Sequence, residues 1–97
     1  MQNQKSPSFF GTRIEIQVIM NTKLKLIWDF RGPDSKKIAE HHVIHLNDYI
    51  ASSELKDSTT GIEVKSSSYS IAYITVYKSE MIAVRDALKP HRGEFLD

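Results

Sequence analysis

The chain contains no cysteine. That single absence excludes disulfide frameworks, thiolate metal sites and cysteine nucleophiles. It also permits a reducing compartment, so a cytoplasmic location is expected. No stretch approaches the roughly 20 consecutive apolar residues that cross a bilayer, and residues 1–10 lack the apolar core of a secretory leader. A membrane partner is therefore not expected. Charge of one sign is lacking too: 13 basic residues against 12 acidic ones leave a net charge of +1, which supplies no broad attraction to polyanions. Nucleic acid is disfavoured as a partner on that ground. Glycine is scarce, with four in 97 residues, and they form no phosphate-cradling loop.

What is present is an ordinary globular composition. Hydrophobic residues make up 40% and charged residues 26%, and a chain of 97 residues holds one core and one domain. Residues 1–12 read as an extension outside the fold, disordered or artificial in origin, and residues 13–97 as a single α+β domain. Met20, followed by the polar Asn21, Thr22 and Lys23, offers a second start of translation, on which residues 1–19 would all be extension.

Hydrophobic periodicity supplies the elements. Residues 13–20 alternate, with Ile14, Ile16 and Val18 on one side, as in a half-buried strand that could form a hairpin with the next segment. Residues 23–30 alternate more strongly, placing Leu24, Leu26, Trp28 and Phe30 inward and Lys23, Lys25, Ile27 and Asp29 outward. Pro33 and Asp34 then open a helix expected over 33–51, whose apolar face gathers Ile38, Ala39, Val43, Leu46, Tyr49 and Ile50. A polar loop spans 52–60. Strands are expected over 61–66 and 70–77, joined by a serine-rich turn, and the second has apolar residues on both faces. Ser79 is placed to cap a last helix that buries Met81, Val84, Ala87 and Leu88 and stops at Pro90, leaving residues 91–97 as a tail.

This order of strand, helix, strand, strand, helix over residues 23–89 is similar to a ferredoxin-like sandwich whose final strand is absent or replaced by the N-terminal one. The expected architecture is α+β, with two helices packed on one face of a mainly antiparallel sheet in the order (β)βαββα. The resemblance lies in element order alone and implies no activity.

Three constellations carry candidate chemistry. His41, His45 and Asp48 stand at i, i+4 and i+7 along one helix flank, a donor set suited to zinc or another divalent metal. His42 falls on the apolar face instead, where it would be a satisfied core histidine or, if a pocket opens beside it, a catalytic acid or base lined by Trp28 and Tyr49; Tyr73 or Thr75 could serve as its partner. Arg31 and Lys36 flank a helix N-terminus that could hold an anion. On the sheet's outer side Ile27, Ile71, Tyr73 and Tyr77 form an apolar surface of the kind that marks a protein interface.

These readings support two functional classes. One is a non-catalytic interaction domain that requires no cofactor and forms a homodimer through the outer sheet face. The other is a small enzyme or ligand-binding protein with a histidine-lined pocket, dependent on a metal such as zinc.

Overall fold

In a computed structural model of the chain, residues 22–96 are described. The extension at 1–12 and the strand expected over 13–20 lie outside the described residues. Among these residues the elements run β1 (Lys23–Arg31), α1 (Ser35–Ala51), β2 (Thr60–Ser66), β3 (Tyr69–Tyr77), α2 (Lys78–Leu88) and β4 (Arg92–Leu96). The strands form one sheet in the order β2-β3-β1-β4, and every neighbouring pair is antiparallel. The α+β architecture expected from the periodicities is therefore present.

The alternation in β1 and β3 decides the layering. Pairing sets Leu24 opposite Val76, Leu26 opposite Ile74 and Trp28 opposite Ala72, so one side of both strands is apolar apart from the buried Ser70 opposite Phe30. Against it both helices pack. Leu46 of α1 and Val84 of α2 meet Leu26, Trp28, Ile74 and Val76 in one buried cluster. The indole N–H of Trp28 donates to the Leu88 carbonyl at 3.2 Å, which satisfies a buried donor and ties the end of α2 to the central strand.

Two side chains expected in the core lie outside it. The seam of α1 runs through Ala39 and Leu46, one heptad apart, and leaves Ile38 to one side at 45% exposure. On α2 the contact line runs through Met81, Val84 and Leu88, so Ala87 faces solvent. The start of α2 also lies two residues earlier than expected. Tyr77 takes the capping position expected of Ser79, and its N–H donates to the Glu80 carboxylate at 3.1 Å. The other Glu80 oxygen accepts from the Lys56 N–H at 3.0 Å, which anchors the polar loop between α1 and β2.

The expectation that the final strand would be absent or replaced by an N-terminal one is corrected by β4. The supposed tail pairs with β1 from Lys23↔Leu96 to Ile27↔Arg92. Over Lys23–Ile27, β1 is thus paired on both edges, with β3 on one side and β4 on the other.

Between α2 and β4 the chain turns at Lys89, which adopts the left-handed conformation at φ 54° and ψ 56° while its N–H donates to the Arg85 carbonyl at 2.9 Å. Helices usually place glycine there, because a Cβ in this conformation costs about 1 kcal/mol. Lys89→Gly is expected to stabilise the protein by about that amount and raise its thermal midpoint by about 4 °C in a calorimetric or circular dichroism melt. A lowered midpoint would show that Lys89 contributes contacts that outweigh the strain.

Candidate functional site

The face of the sheet turned away from the helices is built by the odd-numbered residues of β1 and β3. Ile27, Ile71, Tyr73 and Tyr77 share it, as the alternation requires. The expectation of an apolar surface needs correction, however: Ile27 and Ile71 are only 1% and 2% exposed within the single chain. Tyr73 and Arg92 flank Ile27 across the sheet, and Asp29 and Glu63 flank Ile71, so long polar side chains surround both isoleucines.

What faces solvent is a row of half-buried tyrosines along β3, at every fourth residue, each with a cation from β1 over its ring. Lys23 lies 5.1 Å from the Tyr77 ring centre, Lys25 4.5 Å from that of Tyr73, and Arg31 4.0 Å from that of Tyr69. Tyr73 lies across Gly61 of β2, where any Cβ would strike the phenol ring, so this glycine is what allows the tyrosine to lie flat. Acids interleave with the cations. Glu63 accepts from Lys25 at 2.5 Å and from Lys65 at 2.7 Å, and these two ammonium groups hold its carboxyl down at about 2. At the corner, Asp57 pairs with Lys23 at 3.0 Å.

Asp29 is the hub of this face. Its carboxylate accepts two hydrogen bonds from Arg92, at 3.1 Å each, and one from the Tyr69 hydroxyl at 2.5 Å. Its backbone N–H donates to Nδ1 of His91 at 2.9 Å, and the His91 N–H donates to the Ile27 carbonyl at 2.9 Å. One residue of β1 therefore fastens the start of β4 through both backbone and side chain. Arg92 itself continues to Glu94 at 2.9 Å.

The expected metal stripe does not form. His41 and His45 approach edge to face, with ring centres 4.8 Å apart, but among the described residues no three such side chains are placed to hold a metal ion. Helical rise explains this: His41 and Asp48 are seven residues, or about 10 Å, apart along the axis. Arg31 and Lys36 also part company. Arg31 goes to the outer face over Tyr69, whereas Lys36 is exposed at the start of α1 on the helix side.

His42 sits at the helix–sheet interface, its ring centre 4.7 Å from that of Trp28 and 5.4 Å from that of Phe30. Its Nε2 is buried with no hydrogen-bond partner among the described residues. Burial, and then the neighbouring His45 and His91, push its pKa down, which favours the neutral imidazole. Tyr73 and Thr75, the partners expected for it, belong to strand positions on the opposite face of the sheet. The inward parity of Phe30 foreshadowed its place beside His42; nothing in the sequence foreshadowed the part played by His91 and Arg92.

On the helix side a cavity of about 320 Å³ opens between α2 and β4, with Leu24, Leu26, Met81 and Phe95 in its walls. No helix among the described residues is long and apolar enough to cross a membrane. No family model, no curated protein and no solved structure matches the chain.

The Asp29 network has a defined pH signature. Hydrogen bonds from Arg92 and Tyr69, and then the Arg92 charge, hold the Asp29 carboxyl down from 3.8 to about 2. A carboxylate depressed in the folded state stabilises it above the unfolded pKa and loses that contribution as pH falls through the folded one. Urea denaturation of the wild type is thus expected to show an Asp29 contribution of about 1 kcal/mol that is complete above about pH 4 and fades toward pH 2. Asp29→Asn should be less stable at pH 7 and lack this component. Parallel acid limbs in the two proteins would refute the assignment.

Proposed function

We propose that this chain is a non-catalytic interaction domain of ferredoxin-like plan, and that it pairs with a second copy of itself through the outer face of the sheet. The plan is supported by the order β2-β3-β1-β4 with every neighbouring pair antiparallel, interleaved with the two helices. The observation that carries the interface is the row of Tyr69, Tyr73 and Tyr77, each beneath a cation of the same chain. Tyrosine and arginine are enriched in protein interfaces, and side chains already held in place lose less freedom on association.

The charge pattern favours a second copy over nucleic acid. Lys25, Lys65 and Arg92 are each paired with a carboxylate, so few counterions would be released on binding phosphates. The ring faces that bases would stack on already carry ammonium and guanidinium groups. Interleaved charges of both signs suit a two-fold contact, in which cations of one face meet carboxylates of the other. An enzyme built on His42 has weaker support, because that ring is packed between Trp28 and Phe30 and its buried nitrogen meets no orienting group.

Light scattering after size exclusion tests the reading. The wild type is expected to have twice the chain mass. Tyr73→Glu, which places a charge in the middle of the row and leaves the helix-side core untouched, should give the monomer mass with an unchanged far-ultraviolet circular dichroism spectrum. A wild type that stays monomeric at every concentration tested would refute it.

A further inference from the structure

We infer that the groove between α2 and β4 binds a small molecule with an aliphatic body and a carboxylate head. The groove lies on the helix side of the sheet, so the inference stands apart from the proposed pairing of outer faces. Its walls are apolar. Leu24 and Leu26 rise from β1, Met81 descends from α2, and Phe95 of β4 stands at the rim, 63% exposed. The volume of about 320 Å³ sits at the lower end of the range typical of ligand pockets, which selects a short aliphatic chain over a large ring system.

Gly93 keeps the floor open. It pairs with Leu26 across the strands, and a Cβ there would come within 3.2 Å of the Leu26 side chain while filling the groove. A strand that served only to complete the sheet could carry a small apolar residue with a modest shift of Leu26, and would gain buried surface from it. The glycine instead leaves the groove open between Met81 and the exposed ring of Phe95.

Charge sets the class of the head group. The charged lining is cationic, with no carboxylate among the lining residues, although acidic residues nearly equal basic ones in the chain as a whole. Arg92 is committed to Asp29 on the opposite face, and Nδ1 of His91 is occupied by the Asp29 N–H. Arg85 remains. Its Nε meets Asp86, its exposed sequence neighbour, at 3.3 Å, a contact that leaves the two terminal nitrogens of the guanidinium to grip a carboxylate at the mouth of the groove. An ammonium head would be repelled at the same position, and a neutral head would gain only the apolar contact.

Titration of the full chain with octanoate, octanol and octylammonium, followed by amide chemical shifts, tests this. Octanoate is expected to bind saturably and more tightly than octanol, with the largest shifts at Leu26, Met81 and Gly93, while octylammonium binds least. Arg85→Gln, on the exposed surface of α2, should weaken octanoate about fivefold and leave octanol unchanged. Gly93→Val, if it retains the dispersed amide spectrum of the wild type, should abolish both. The inference is overturned if octanoate fails to saturate by about 10 mM, if it binds no more tightly than octanol, or if Arg85→Gln weakens the two ligands equally.

Discussion

Strand β1 pairs with β3 along its whole length and with β4 over Lys23–Ile27, and this double pairing positions every other feature of the molecule. One face of β1 supplies Leu24, Leu26 and Trp28 to the apolar layer beneath the helices. The other carries the cations that cover the tyrosines of β3. The fourth strand has little hydrophobic reason to stay. All five of its residues are exposed, so apolar burial alone gives it a weak hold. Polar fastening fills that deficit: Asp29 receives Arg92 in bidentate fashion and donates its N–H to His91, where the chain enters β4.

Much of the architecture was legible because its signal was local. The alternation from Lys23 to Phe30 and the apolar positions of α1 each come from periods of two and 3.6 residues within one segment. The final strand was not legible. Arg92–Leu96 is short, its alternation is broken by Gly93, and its partners are 65 to 73 residues away in sequence, since Lys23 pairs with Leu96 and Ile27 with Arg92. The character of the outer face was hidden for the same reason. Parity correctly grouped Ile27 and Ile71, but only the register reveals that Arg92 and Glu63 stand beside them. With those neighbours unknown, two isoleucines among tyrosines read as an exposed apolar patch.

The histidines show a different limit. Spacing on a helical wheel places His41, His45 and Asp48 on one flank, yet a wheel discards rise, and a metal ion demands ligands close in all three dimensions. His42 was the more informative of the cluster, since its position on the apolar face led to the contact with Trp28 that the structure contains. Its lowered pKa belongs with that packing: a neutral imidazole fits between aromatic rings better than a charged one does. The groove beside α2 has yet another origin. α2 packs on β1 and β3 and meets β4 where Lys78 lies over the Phe95 ring, and the edge of the apolar layer remains open where Gly93 and Phe95 face it.

The central claim is that Asp29 fastens β4 to β1 firmly enough for the edge strand to behave as part of the sheet. Native-state hydrogen exchange measures this directly at two amides, those of Asp29 and His91, whose acceptors are the His91 ring and the Ile27 carbonyl. Protection at both within tenfold of the β1 amides paired with β3 is the expected result. Exchange at the rate of an unstructured peptide at either site, with the β1–β3 ladder still protected, would contradict the account.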